Sequence, residues 1–185
     1  MSLLKIYKQL FNYYGPQDWW PGDTPFEIMV GAILTQNTAW TNVEKAIANL
    51  VAAKALSPKT IITTHPKRLA SCLKPSGYFN IKAKRLKNFC RWYMDNGGYE
   101  SLDEWSTGDL RKGLLSVNGV GPETADDILL YAFERPVFVI DAYTRRLFKR
   151  LGHIEGDEHY EQLRQRFESE LQNVTDRVQM FNEYH

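Results

Sequence analysis

Cysteine is scarce in this 185-residue chain, with only Cys72 and Cys90. They lie far apart, form no CxxC pair and match no zinc spacing. Two buried free thiols are expected, which excludes a disulfide framework and a thiolate metal site. Long apolar runs are also missing. No stretch reaches the ~18 residues of a membrane helix, and no charged-then-apolar leader opens the chain. These absences point to a soluble cytoplasmic protein without a membrane partner. Neither a convincing strand pattern nor an internal repeat is found, so the expected fold class is all-α. One tract has no acidic residue at all: Lys45 to Met94 carries eleven Lys or Arg and no Asp or Glu.

The net charge of +1 would argue against a polyanionic partner if the charge were evenly spread. It is not. A second basic cluster is Arg145, Arg146, Lys149 and Arg150, and acids gather in Glu155, Asp157, Glu158, Glu161, Glu168 and Glu170. Segregated charge of this kind can build one positive face suited to a phosphate backbone. Ordinary solvated helix faces fit the same counts.

Helical periodicity runs through the chain. Leu3, Leu4, Tyr7, Leu10 and Phe11 line one face of a first helix that should end near Gly15-Pro16. Thr24-Pro25 has the cap-then-proline order of a helix start, and "FEIMVGAILTQ" is apolar enough to be buried. Ser57 and Thr64 are candidate caps of short helices. "IKAKRLKNFCRWYMDNGG" reads as a basic amphipathic helix stopped by Gly97-Gly98.

Residues 114–132, "LLSVNGVGPETADDILLYA", place two helical runs around a tight turn. Pro122 suits a first helical position and Gly121 a cap, while Gly119 and Gly121 can take positive φ and bare the backbone amides. Amides at a helix start make an anion site blind to base sequence. A plain αα-hairpin closed by glycines fits equally. Asp141 follows in the apolar run "PVFVIDAY", where its residue type and the helical stretch after it read as a helix N-cap.

The stretch "LLSVNGVGPETAD" followed by "ERPVFVID" resembles the helix-hairpin-helix, Gly/Pro-loop and aspartate signature of the endonuclease III superfamily of DNA glycosylases. "MVGAILTQNTAWTNVEKAI", "SGYFNIKAKRL" and the final "FNEYH" also match in order, so the resemblance covers roughly residues 20–185. It implies double-stranded DNA with a damaged base as the partner, with Asp141 catalytic. Gly119, Val120, Gly121 and Thr124 would grip a phosphate. The carbonyls of Leu115, Val117 and Val120 would hold a monovalent cation. Gln36 and Asn37 would fill the hole left by an extruded base, and Tyr78 would wedge into the duplex. Lys82, with Lys84 and Arg85, would line the backbone.

Bifunctional members of that family carry a Schiff-base lysine where this chain has Glu123, which implies a monofunctional enzyme leaving an abasic site. The aromatic residues Trp19, Trp20 and Trp40, closed by Pro21, resemble the base pocket of the 3-methyladenine branch, which also has a glutamate at the Glu123 position. They imply an alkylated purine as the substrate. A tryptophan cluster gluing the N-terminal segment to the core is the structural alternative. The functional alternatives are a glycosylase for mismatched adenine or for mismatched or oxidised pyrimidines, and a non-catalytic DNA-binding module. Relatives often close with four cysteines on a [4Fe–4S] cluster. None follows Cys90, so no cofactor is expected in this chain unless the natural protein continues past His185. The expected architecture has a helical-barrel lobe over residues 24–134, with the hairpin at about 109–134. A second lobe joins 1–23 to 135–185, with DNA in the cleft. A monomer is expected, associated with the nucleoid if the source is bacterial.

Overall fold

The computed structural model of the chain describes residues 2–17 and 20–185, and helices with no strand make up the regular structure among them. The N-terminal helix α1 (Leu3–Tyr14) is capped by Ser2 and stopped by Gly15 at φ 72°. The buried helix α2 (Pro25–Leu34) starts as its sequence dictates: Thr24 Oγ1 accepts the Glu27 N–H at 3.1 Å, and Pro25 needs no partner. Then come α3 (Trp40–Ala52), α4 (Pro58–Thr63) and α5 (Pro66–Leu73), a 3-10 turn (Lys74–Ser76) and the long α6 (Phe79–Asp95). Ser57 caps α4, but the residue capping α5 is His65, not Thr64: its Nδ1 accepts the Lys67 N–H at 3.3 Å. Gly97 and Gly98, both at positive φ, end α6, and the chain then turns at once into a short helix α7 (Gly98–Asp103).

The hairpin is formed by α8 (Thr107–Ser116) and α9 (Pro122–Asp127), and α9 widens into a π-helical turn (Ile128–Ala132). After an extended stretch come α10 (Ala142–Arg150), α11 (Tyr160–Glu170) and α12 (Arg177–Tyr184). Two apolar cores result. One is built around Met29, Ile33, Leu50, Leu69, Leu86, Phe89 and Leu114. The other joins Leu3 and Ile6 of α1 to Phe138, Phe148, Phe167 and Phe181. The π-turn serves both: Ile128 and Leu129 face the first core, Leu130 and Tyr131 the second. Residues two apart on a helix point to nearly opposite sides, so this turn packs against both cores at once.

A buried ion cluster ties the hairpin to α11. Arg111 grips Asp126 with Nε at 2.6 Å and Nη2 at 3.1 Å, and reaches Glu161 at 2.6 Å. Tyr160 adds its hydroxyl to Asp126 at 2.9 Å. The Asp126 side chain is wholly buried, so this fork of donors is what makes its charge tolerable there.

Candidate active site

The catalytic candidate Asp141 is positioned by an extended run. Val137, Phe138, Val139 and Ile140 are all buried, so their backbone groups must find partners away from water. The Phe138 N–H donates to Glu168 Oε1 at 3.0 Å, and the Ile140 N–H to the Tyr160 hydroxyl at 3.3 Å. The run ends at Asp141, whose Oδ1 accepts the Thr144 N–H at 2.6 Å and caps α10. The cap leaves Oδ2 turned to the His185 imidazole, 3.8 Å from Nε2. His185 Nδ1 in turn lies 2.7 Å from the Tyr131 hydroxyl. Burial holds the imidazole below its ordinary pKa, against the pull of Asp141. Which of the Tyr131 hydroxyl and His185 Nδ1 donates in this pair follows the imidazole tautomer.

A second set of groups comes from the second helix of the hairpin and the π-turn that extends it. Glu123, Asp127 and Tyr131 recur every four residues, the spacing of one helix face. Glu123 opens to the hairpin groove, yet partial burial, followed by the nearby Asp141, raises its pKa, while Arg145 opposes the rise. Asp127 is 6% exposed and its carboxyl is raised well above the ordinary range, by burial first and then by Glu123, Asp141 and Asp126. Asp127, Tyr131 and His185 are the site residues that the sequence reading missed. The spacing from Glu123 was a usable signal for the first two. No signal marked His185.

The aromatic residues gather beside this face. Trp20 packs on Tyr131 with centroids 4.6 Å apart and meets Trp40 edge-to-face at 5.0 Å. Gly31 makes room beneath them: a Cβ there would lie 3.2 Å from Trp40 and 3.3 Å from Trp20. A base between two rings takes about 7 Å, twice the ~3.5 Å contact distance. Trp20 and Trp40 as found leave no such gap, so the expected open slot is closed in this structure. Trp19 lies outside the described residues, and Pro21 is solvent-exposed.

The hairpin turn is built on Gly119, at φ 105°, where a Cβ would come within 2.3 Å of Arg85 Cγ. Gly121 differs from expectation: its φ is −95° and nothing approaches its missing Cβ, so it leaves open space at the start of α9. A groove of about 530 Å³ runs here past Gln36, Asn37, Gly119, Val120, Gly121 and Glu123. Val120 itself is buried, and its N–H donates to the Val117 carbonyl at 3.0 Å, leaving that oxygen a second lone pair. The Leu115 side chain is half-buried against the first core.

Several expected DNA contacts are used internally. Gln36 gives its amide N–H groups to Gly119 O at 3.0 Å and Thr124 Oγ1 at 2.9 Å, and its carbonyl accepts from Arg85. The Thr124 side chain is buried at this contact, and both Gln36 and Thr124 line the groove. Lys82 is corrected: it is 1% exposed and its Nζ donates to Leu34 O at 2.8 Å and Ser76 O at 2.6 Å. These two otherwise orphaned carbonyls draw the amine inward, and burial, with Arg85 beside it, pushes its pKa down to about 8. Asn37 and Tyr78 remain exposed, each at a left-handed backbone position.

Four thiolates hold an iron–sulfur cluster. Cys90 lies in the first core with its thiol pushed up to about 12 by burial, and Cys72 sits half-buried on α5. These residues do not fit a [4Fe–4S] group.

A hairpin closed by Gly119, an aspartate capping the next helix and two apolar cores around them lead to one class of DNA repair proteins. The family model for the HhH-GPD superfamily base excision DNA repair proteins matches residues 30–173, and the chain belongs to that family. It is 46% identical, over 99% of its length and 83% of the relative's, to a Methanocaldococcus jannaschii protein provisionally named a DNA repair glycosylase. It is 29% identical to Thermotoga maritima endonuclease III over 71% of this chain and 58% of that one, so it spans under two thirds of that relative. The crystal structure of the Helicobacter pylori 3-methyladenine DNA glycosylase bound to 1,N6-ethenoadenine superposes with a TM-score of 0.87. That match covers 100% of this chain and 94% of the other, at 32% identity. A non-covalent endonuclease III–DNA complex shares the fold, with a TM-score of 0.78 at 22% identity, over 99% of this chain and 85% of the other. The protein is thus a base excision repair DNA glycosylase by family.

Proposed function

We propose that the protein is a monofunctional N-glycosylase that releases an alkylated purine, 3-methyladenine-like, by water attack. The observation that carries this reading is the split use of Asp141. One oxygen is fixed by the Thr144 N–H and the other is left for the reaction. A carboxylate so held stabilises the positive charge that develops on the sugar as the glycosidic bond breaks, and it orients the attacking water. The hydroxyl of Tyr131 and the imidazole of His185 keep the facing wall polar but uncharged. Glu123 stands where a Schiff-base lysine would be needed, and a carboxylate cannot form that adduct. Trp20, packed on Tyr131, and Trp40 supply stacking surface for an extruded, electron-poor base, with a cation–π contribution of ~0.5–2 kcal/mol. Entry of the base parts Trp20 from Trp40. Gly119, Gly121 and the hairpin amides take the phosphate, the carbonyls of Leu115, Val117 and Val120 hold a monovalent cation, and Tyr78 and Asn37 meet the opened duplex. The protein acts as a monomer.

Incubating the protein and Asp141→Asn with randomly methylated duplex DNA, with chromatography of the freed bases, tests this. Release of 3-methyladenine by the wild type alone, with no borohydride-trapped adduct, is expected. Retention of all alkylated bases by the wild type overturns the substrate reading.

A further inference from the structure

Tyr160 is given no part in the chemistry above, yet it joins two pieces of the site. Its hydroxyl accepts the Ile140 N–H at 3.3 Å and donates to Asp126 Oδ2 at 2.9 Å. Ile140 is the residue just before Asp141. Asp126 belongs to α9, the second helix of the hairpin, and Arg111 of α8, the first, grips it with two N–H groups. Both hairpin helices are thus tied to one hydroxyl, and that hydroxyl holds the last peptide before the catalytic candidate. The roles in this chain of bonds cannot be exchanged. A backbone N–H only donates, and a carboxylate gripped by a guanidinium only accepts, so the phenol proton must point to Asp126. Burial, followed by the charge of Asp126, raises the phenol pKa and keeps that proton in place.

The extended run is matched to α11. In such a run, groups two residues apart face the same side. The N–H groups of Phe138 and Ile140 both meet α11, at Glu168 and Tyr160. Tyr160, Arg164 and Glu168 recur every four residues along one helix face, and Arg164 Nη1 holds Glu168 at 2.8 Å. The cap on Thr144 fixes the Asp141 carboxylate relative to its own helix, α10. Tyr160 relates it to the hairpin, and its ring also lines the hairpin groove.

We propose that Tyr160 is a positioning residue for base release, its hydroxyl setting the place of Asp141 relative to the hairpin and so to a duplex gripped there. This rests on the role of Asp141 argued above. Displacing a reacting group by about 1 Å can cost about 10²-fold in rate, so one hydrogen bond at this peptide can matter more to the reaction than to stability.

The test compares wild type, Tyr160→Phe, Asp141→Asn and the double variant. Single-turnover base release from methylated duplex is read with protein in excess, and Kd for a duplex holding an abasic-site analogue by fluorescence anisotropy. Tyr160→Phe is expected to slow the saturated rate about tenfold or more and to leave Kd within about twofold. On the Asp141→Asn background the same change is expected to slow release by less than about twofold, because the group being positioned is gone. A saturated rate within about threefold of wild type overturns the proposal, as does an equal slowing on both backgrounds. Should Tyr160→Phe fail to fold, Arg111→Lys breaks the link at its far end, since one ammonium cannot repeat the fork on Asp126. The same split between rate and Kd is then expected, and an unchanged saturated rate overturns the proposal. Amide hydrogen exchange, read by NMR on ¹⁵N-labelled protein, needs no activity. Tyr160→Phe is expected to raise the exchange rate of Ile140 relative to Phe138 about tenfold, the worth of one hydrogen bond. If the wild type releases no base but this ratio rises, the proposed function fails and the link through Tyr160 stands. If the ratio does not move, the link fails whatever the activity.

Discussion

Asp141 holds the N–H of Thr144 at 2.6 Å with one carboxylate oxygen, while the other lies 3.8 Å from His185 Nε2. The two duties separate on substitution. Asparagine caps a helix about as well as aspartate, so Asp141→Asn is expected to unfold within ~0.5 kcal/mol of wild type. Loss of the charge is expected to slow base release by roughly 10²–10³-fold, the usual effect of removing one preorganised electrostatic group. Single-turnover base release and a urea titration on the same preparation check both halves. A variant that lost stability and activity together would make Asp141 a cap alone.

Glu123→Lys is expected to create what the wild type lacks. The position faces Asp141, and a lysine amine there is placed to attack the sugar carbon and form an imine. Borohydride treatment of the variant with damaged duplex should yield a covalent protein–DNA band on a denaturing gel, absent from wild type. A band already present in the wild-type lane would show that another amine does this chemistry.

Asp127 should make the fold weaken as pH rises. Its carboxyl is raised in the folded state by burial and by Glu123, Asp141 and Asp126. Above the ordinary carboxyl range near 4, the unfolded chain has lost this proton and the native protein still holds it. Stability then falls with rising pH by ~1.4 kcal/mol per unit, up to the folded pKa. Asp127→Asn carries no such proton, so its advantage over wild type is expected to widen from pH 5 to pH 7.5 in urea unfolding. Parallel curves would mean that the carboxyl ionises freely inside the fold.

Gly119 and Gly121 should respond differently to alanine. At Gly119 the added Cβ meets Arg85 at 2.3 Å, on backbone at φ 105°, so Gly119→Ala is expected to cost at least ~1–2 kcal/mol of stability. Because Arg85 holds the Gln36 carbonyl, the shift also loosens the hairpin. Gly121 has ordinary φ and open space around its missing Cβ. Gly121→Ala is expected to leave the urea midpoint in place and weaken duplex binding, read by fluorescence anisotropy. Equal effects of the two changes on stability would contradict this division.

Much of the molecule was legible in its residues. Local rules suffice for the caps at Ser57 and Thr24, the stop at Gly15 and the cap at Asp141, because each satisfies backbone groups within four residues. The hairpin motif is contiguous, so it also could be read directly, and with it the family. Lys82 was misread because sequence shows a lysine in a basic tract, while the carbonyls of Leu34 and Ser76 that draw it inside belong to other elements. The pairing of Gln36 with Gly119 and Thr124 was out of reach for the same reason: these partners are more than eighty residues away. The sequence by itself determined the helices, the hairpin and the position of the aspartate. Only the tertiary structure decided that Asp127 Oδ1 is buried without a hydrogen-bond partner among the described residues, that Trp20 lies against Tyr131 and that His185 faces Asp141. Each of those relationships joins residues from elements far apart in the chain, which no local pattern encodes.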